Sequence, residues 1–211
     1  MTTSDSSETV NLLGRLHRGD PQALADLFAR HRDRLRRMVR LRLDRRLQGR
    51  VDPSDVLREA YRDVSQGAAD YCARPTMPFF LWLRLLTGRK LQDLHRQYLA
   101  GQADVGQEVS LYRGALPQAN SVSLAAQLLG RVTSASQAAD RADKQIRLQE
   151  ALNGMEPMDR EVLALRHFEE LNNHEAAEVM GVAKAVASHR YIGALKRLKE
   201  ILNTMPGFFE G

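Results

Sequence analysis

HEAAE, residues 174–178, is the stretch of this chain that comes nearest to a catalytic metal signature. In the H-E-x-x-H motif two histidines lie one helical turn apart on the same face, with the glutamate as general base. Here Glu178 occupies the place of the second histidine, and no third ligand lies at workable spacing. The six histidines, His17, His31, His95, His167, His174 and His189, are scattered. The sequence has no Gly-rich phosphate loop, no C-x-x-C pair and no nucleophile elbow. These features argue against an enzyme and predict no metal and no cofactor.

The chemistry that remains is electrostatic. From Lys184 to Lys199 there is no acidic residue, and Lys184, Arg190, Lys196, Arg197 and Lys199 fall within that span. Just before it, Gly181 permits the positive φ of a tight inter-helix turn, and Ala177 is small enough for two helices to cross closely. Ala187, Tyr191, Leu195, Leu198 and Leu202 recur at helical spacing and are expected to face inward. The residue types fit a helix-turn-helix, with Lys184, Ala185, Ser188, His189, Arg190 and Ile192 turned to solvent. Such a helix fits the DNA major groove, where its first two turns meet base edges. Flanking cations such as Arg190 and Lys196 would hold phosphates. The competing account is an amphipathic helical hairpin whose charged side is merely hydrated.

The elements that must position this face are helical. Apolar residues recur at spacings of three and four throughout, and few stretches alternate. Asp20-Pro21 and Asp52-Pro53 are helix starts, because Asp can cap and Pro suits the first turn. After the first, Leu24, Leu27, Phe28, Leu35, Met38 and Val39 share a face; after the second, Val56, Leu57, Ala60 and Val64 do. A third helix begins near Phe79, with Trp82, Leu85, Leu86 and Leu94 expected inward. The expectation is an all-α protein of two small helical domains, residues 8–100 and 137–204. A flexible linker, 101–136, would join them. Gly101, Gly106, Gly114 and Pro117 mark that linker, which carries a short helix near Leu124–Leu129.

Composition bounds the setting. Hydrophobic residues at 43% and charged residues at 27% suit a folded chain of 211 residues, and the net charge of +5 favours an anionic partner. Ten arginines, Arg30, Arg32, Arg34, Arg36, Arg37, Arg40, Arg42, Arg45, Arg46 and Arg50, face only Asp33 and Asp44 across residues 30–50. They could run beside DNA, dock an acidic surface, or lay their stems over apolar surface. Cys72 is the single cysteine and cannot form an internal disulfide. The N-terminus, MTTSDSSETV, is polar, and no run reaches the ~20 apolar residues of a spanning helix. A cytoplasmic protein with no membrane partner is expected.

Three stretches, in this order and spacing, resemble RNA polymerase sigma factors of the extracytoplasmic-function type. They are RVDPSDVLREAY (50–61), PFFLWLRLLTGRKLQDLHR (78–96) and MEPMDREVLALRHFEELNNHEAAEVMGVAKAVASHRYIGALKRLK (155–199). The resemblance implies a factor that binds core RNA polymerase and directs promoter recognition, DNA melting and transcription initiation. The first domain would act at the −10 element and the helix-turn-helix at the −35 element. It further implies that Asp52, Asp55, Arg58 and Glu59 contact the β′ clamp helices, Arg58 standing where the family commonly has Gln. Residues 66–78 would form a loop that captures a flipped base, with Tyr71 and Arg74 as candidates and Phe79 at its edge. Trp82 falls on the family tryptophan, and for it and Phe79 core packing competes with a DNA role. Arg84, Arg89, Lys90, His95 and Arg96 would approach −10 DNA, mostly at phosphates. The linker would run along the polymerase surface, where the β subunit is a further partner. An anti-sigma factor is another partner the resemblance admits. Departures from the family pattern are Ala187, where Val is usual, and Gly193, where many relatives carry Arg. The rival classes are a stand-alone helix-turn-helix regulator and a metal-dependent nuclease.

Overall fold

The computed structural model describes residues 3–99, 117–132 and 138–204, all of them helical or in the turns between helices. Much of the candidate linker, 101–116 and 133–136, lies outside the described residues. The chain divides into two compact units.

The first unit holds α1 (Thr3–His17), most of α2 (Pro21–Arg42), α3 (Pro53–Ala73) and α4 (Phe79–Leu99). Both expected starts are where the local chemistry puts them. Asp20 accepts the Gln22 backbone N–H at 2.9 Å, and Asp52 accepts that of Ser54 at 2.7 Å. Each satisfies a donor that the first helical turn leaves open. The predicted faces of α2 and α3 are buried in full. They meet through Phe28, edge-on to Tyr61 at 5.0 Å between ring centroids. Between α2 and α4, His31 lies against Phe79 and Phe80, and the Arg34 guanidinium covers the Phe80 ring at 3.6 Å.

On α4 the buried stripe differs from the expected one. Phe80, Leu83, Arg84, Thr87 and Leu91 are buried, whereas Trp82, Leu85, Leu86 and Leu94 are half-buried. The first two turns of this helix are apolar nearly all round, so hydrophobicity there does not select a face. The helix itself satisfies the Thr87 hydroxyl, which donates to the Leu83 carbonyl at 2.8 Å.

The second unit gathers Arg40–Asp44 with the described residues from Pro117 onward. Its helices are α5 (Ser121–Val132), α6 (Ala138–Asn153), α7 (Pro157–Leu163), α8 (Asn173–Met180) and α9 (Lys184–Asn203). A five-residue π-helical turn, Ala164–Phe168, follows α7. The helix expected near Leu124–Leu129 is longer than predicted and packs on α6, burying Leu124, Ala125 and Leu129. Along α6, Leu148 and Leu152 are buried, whereas Ile146 is exposed.

Within this unit Arg42 is fully buried, its guanidinium shared between Glu161 and Glu169. Burial alone would draw its pKa down; the two carboxylates outweigh that and hold the charge in place. Asn120 fastens the same stretch, with its backbone N–H on the Leu41 carbonyl at 3.0 Å and its side-chain amide on that of Leu43 at 3.1 Å.

Candidate nucleic-acid interface

The turn at Gly181 has the geometry its sequence suggested. Gly181 sits at φ 64°, ψ 31°, closing α8, and its N–H bonds back to the carbonyls of Ala177 and Glu178. A side chain at this φ would strain the backbone, so glycine is the residue that fits. HEAAE also finds its structural role here. Asn172 accepts the N–H groups of His174 and Glu175 at 2.9 and 3.0 Å, and Glu175 accepts the Asn172 N–H at 2.8 Å. That is a reciprocal capping box at the start of α8. Glu175 is thereby engaged as a helix cap.

Beyond the turn, α9 buries Ala187, Ala194 and Leu198 against its neighbours α7 and α8. Its outer side presents Lys184, Ala185, His189 and Lys196 as exposed residues, with Ser188 half-buried at the margin. Ala183, at the N-cap, supplies no side-chain hydrogen bond to the first turn. The open N–H groups there, next to Lys184, suit a phosphate.

Arg190 departs from the expectation that it faces solvent. Its Nη1 lies 3.0 Å from both the Glu156 and the Asp159 carboxylates. Arg197, about two turns further on, pairs with the other oxygen of Asp159. Asp159 is completely buried on α7, and a buried carboxylate needs a cation beside it. The hydrogen bond that Arg190 donates to Glu156 leads in holding its charge firmly in place, with Asp159 adding to it. Sequence reasoning missed Asp159 altogether. Its one local signal is the Glu156-Pro157 helix start, which puts Asp159 in the first turn of α7.

In the first unit the candidates fall into two groups. At the N-terminus of α3, Asp55 is exposed and Glu59 half-buried; Asp55 accepts from Arg58 at 2.8 Å and Glu59 from Arg62 at 2.7 Å. Asp52, also exposed, is the N-cap. With Asp52 they form an acidic edge on which Asp55 and Glu59 each pair with a surface arginine.

The second group corrects the expected loop. Residues 66–73 continue α3, leaving only 74–78 outside helices. Ala68, Ala69 and Ala73 favour helix, and Val64, Ala68 and Tyr71 continue its buried stripe. Tyr71 is accordingly buried, not held out on a loop. Its ring stacks on Trp82 at 4.6 Å and meets the edge of Phe79 at 5.5 Å, and its hydroxyl donates to the Met77 carbonyl at 2.9 Å. Trp82 in turn lies so close to Gly67 that a Cβ there would sit 3.2 Å from the indole. Phe79 is buried with them. Arg74, just past the end of α3, is exposed. Along α4, Arg84 is buried and Arg89 exposed; Lys90 pairs with Asp63 at 2.9 Å and Arg96 with Asp93 at 2.9 Å, while His95 is half-buried.

The sequence matches the family model described as ECF sigma factor over residues 6–203. This chain belongs to the ECF sigma factor family. Membership implies RNA polymerase binding and promoter-directed transcription initiation, the work of a transcription regulator and not of an enzyme. The fold of this sigma factor is similar to that of CnrH in its complex with the cytosolic domain of CnrY. The TM-score is 0.53 at 21% identity, over 91% of this chain and 95% of the other. No curated protein matches the sequence. Among the described residues of this sigma factor, no helix is long and apolar enough to cross a membrane.

Proposed function

We propose that this sigma factor docks on the β′ clamp helices through Asp52, Asp55, Arg58 and Glu59 and holds two promoter elements at once. The outer side of α9 reads the −35 element with Lys184, Ala185, Ser188 and His189, and Lys196 holds phosphate. Arg190 acts from behind, fixing α9 on α7. At the −10 element Arg89, Lys90, His95 and Arg96 follow the backbone of DNA being opened. Residues 74–78, with Arg74 at their head, capture an extruded base. Tyr71, Phe79 and Trp82 form the floor beneath them, because stacking among themselves occupies the faces that a base would need. Buried Arg84 supports α4 from inside. The observation that carries this reading is the exposed side of α9, free of acidic residues from Lys184 to Lys199 and set behind a left-handed glycine turn. ECF sigma factors also partner with anti-sigma factors, and such a protein is expected to cover one of these two surfaces.

Run-off transcription with purified core polymerase tests the proposal. Defined transcripts should appear only when this chain is added. Sequence-specific DNA binding by the free chain without any gain in initiation would mark a stand-alone regulator instead.

A further inference from the structure

The recognition side of α9 has an unusual chemical character. Val186 and Ile192 keep 50% and 51% of their surface exposed, although both are β-branched and apolar. They stand on either side of exposed His189, within the span that holds Ala185 and Gly193. Gly193 has no Cβ, and one built there would meet only Arg197 Nη2, at 3.6 Å. The helix can therefore approach a groove floor closely at that point. The arginine that could read guanine from this part of α9, Arg190, is tied to Glu156 and Asp159. Exposed Lys184, Lys196 and Lys199 surround the apolar residues, which makes a polyanion the complementary occupant.

We infer that Val186 and Ile192 are specificity-determining residues that read thymine C5-methyl groups in the major groove of the upstream promoter element. In that groove thymine alone offers a methyl group, and an apolar side chain is its natural partner. Val186 lies in the first turn, where recognition helices meet base edges. Ile192 is six residues further on, about 9 Å along the axis at 1.5 Å per residue, a reach of roughly three base pairs. This inference rests on the proposed −35 role of α9.

The test uses holoenzyme assembled from the full chain and core polymerase. Duplexes randomised upstream of a fixed start region are selected for binding, and thymines in the selected sequence are then replaced singly by deoxyuridine, which lacks the methyl group. At one or two positions the replacement should weaken wild-type binding about four-fold, the worth of one buried methyl. Val186→Ala or Ile192→Ala should abolish that difference at its own position while leaving the salt dependence of binding unchanged. If selection enriches a sequence but deoxyuridine has no effect anywhere, methyl reading is overturned and −35 recognition stands. If nothing is enriched, the −35 reading itself fails. If both variants keep wild-type DNA selection but bind core polymerase less well, the apolar pair is a protein contact and the inference is wrong.

Discussion

Arg190 offers the sharpest discrimination between a phosphate contact and a structural clamp. Asp159 is wholly buried, while the side chains of Arg190 and Arg197 retain 30% and 51% exposure. A hydrogen bond to a charged group contributes about 1.5–3 kcal/mol. Two such bonds would suggest about 3–6 kcal/mol, but both arginines recover water once released, and exposed pairs are worth under about 1 kcal/mol. Asp159→Asn should therefore cost about 1–2 kcal/mol. Arg190→Ala should cost less, about 1 kcal/mol, because Arg197 still covers the carboxylate. Replacing both arginines strands a buried charge and should cost most, about 3–5 kcal/mol. Urea denaturation followed by far-UV circular dichroism gives this ranking. Salt titration of promoter binding by the holoenzyme supplies the second readout. A clamp leaves the slope of log K against log salt nearly unchanged in Arg190→Ala, whereas a lost phosphate contact lowers it by about one. Unchanged stability together with a slope lower by one would refute the clamp.

Three other outcomes follow from local geometry. His31 is buried with its pKa lowered to about 4, chiefly by desolvation and further by Arg34 and Arg30. Because the unfolded chain takes up its proton near the ordinary 6.5, stability should be full above that pH and fall by up to about 3 kcal/mol towards pH 4. His31→Gln should flatten that fall, followed by the fluorescence of Trp82, the sole tryptophan, which lies in the same unit. Gly193→Ala should raise stability by about 1 kcal/mol, since the helix interior has room for the methyl, whereas Gly181→Ala at φ 64° should lower it by a similar amount. Thermal melts of the two variants should move in opposite directions. Arg42→Met should cost about 3–5 kcal/mol in urea titrations by leaving Glu161 and Glu169 buried without a cation. Making Glu161 and Glu169 apolar as well should restore most of that loss.

What was legible in the sequence was what neighbouring residues decide. Asp20-Pro21, Asp52-Pro53 and Gly181 each specify a backbone event within one turn, and each is found as read. The α2 stripe was legible because polar residues separate its apolar ones cleanly. On α4 the same logic failed at FFLWLRLL, where tertiary packing chose a face that includes Arg84 and Thr87. Tyr71 was misplaced for a different reason: a family loop was extended over residues whose own periodicity continues α3. Burial of Asp159, Glu161 and Glu169 was out of reach, since an acidic residue reads as surface until its cation is known. For Glu161 that cation is 119 residues away.

The arginines teach a wider lesson about reading charge. In a sequence they look like the DNA-facing residues, yet Arg34, Arg42 and Arg84 are buried and Arg190 and Arg197 are turned onto one carboxylate. The exposed cations of α9 include its three lysines. The division follows from side-chain chemistry. A planar guanidinium keeps its charge when desolvated and satisfies two fixed carboxylates at once, as Arg42 does; an ammonium is strongly hydrated and loses its proton more readily when buried. Arginine therefore suits the joints that hold helices in register as well as phosphate, so its presence in a sequence does not by itself mark a DNA contact. Positive charge density across residues 30–50 is accordingly no map of DNA contact. Only its exposed members, Arg32, Arg40, Arg45, Arg46 and Arg50, remain candidates for an outside partner.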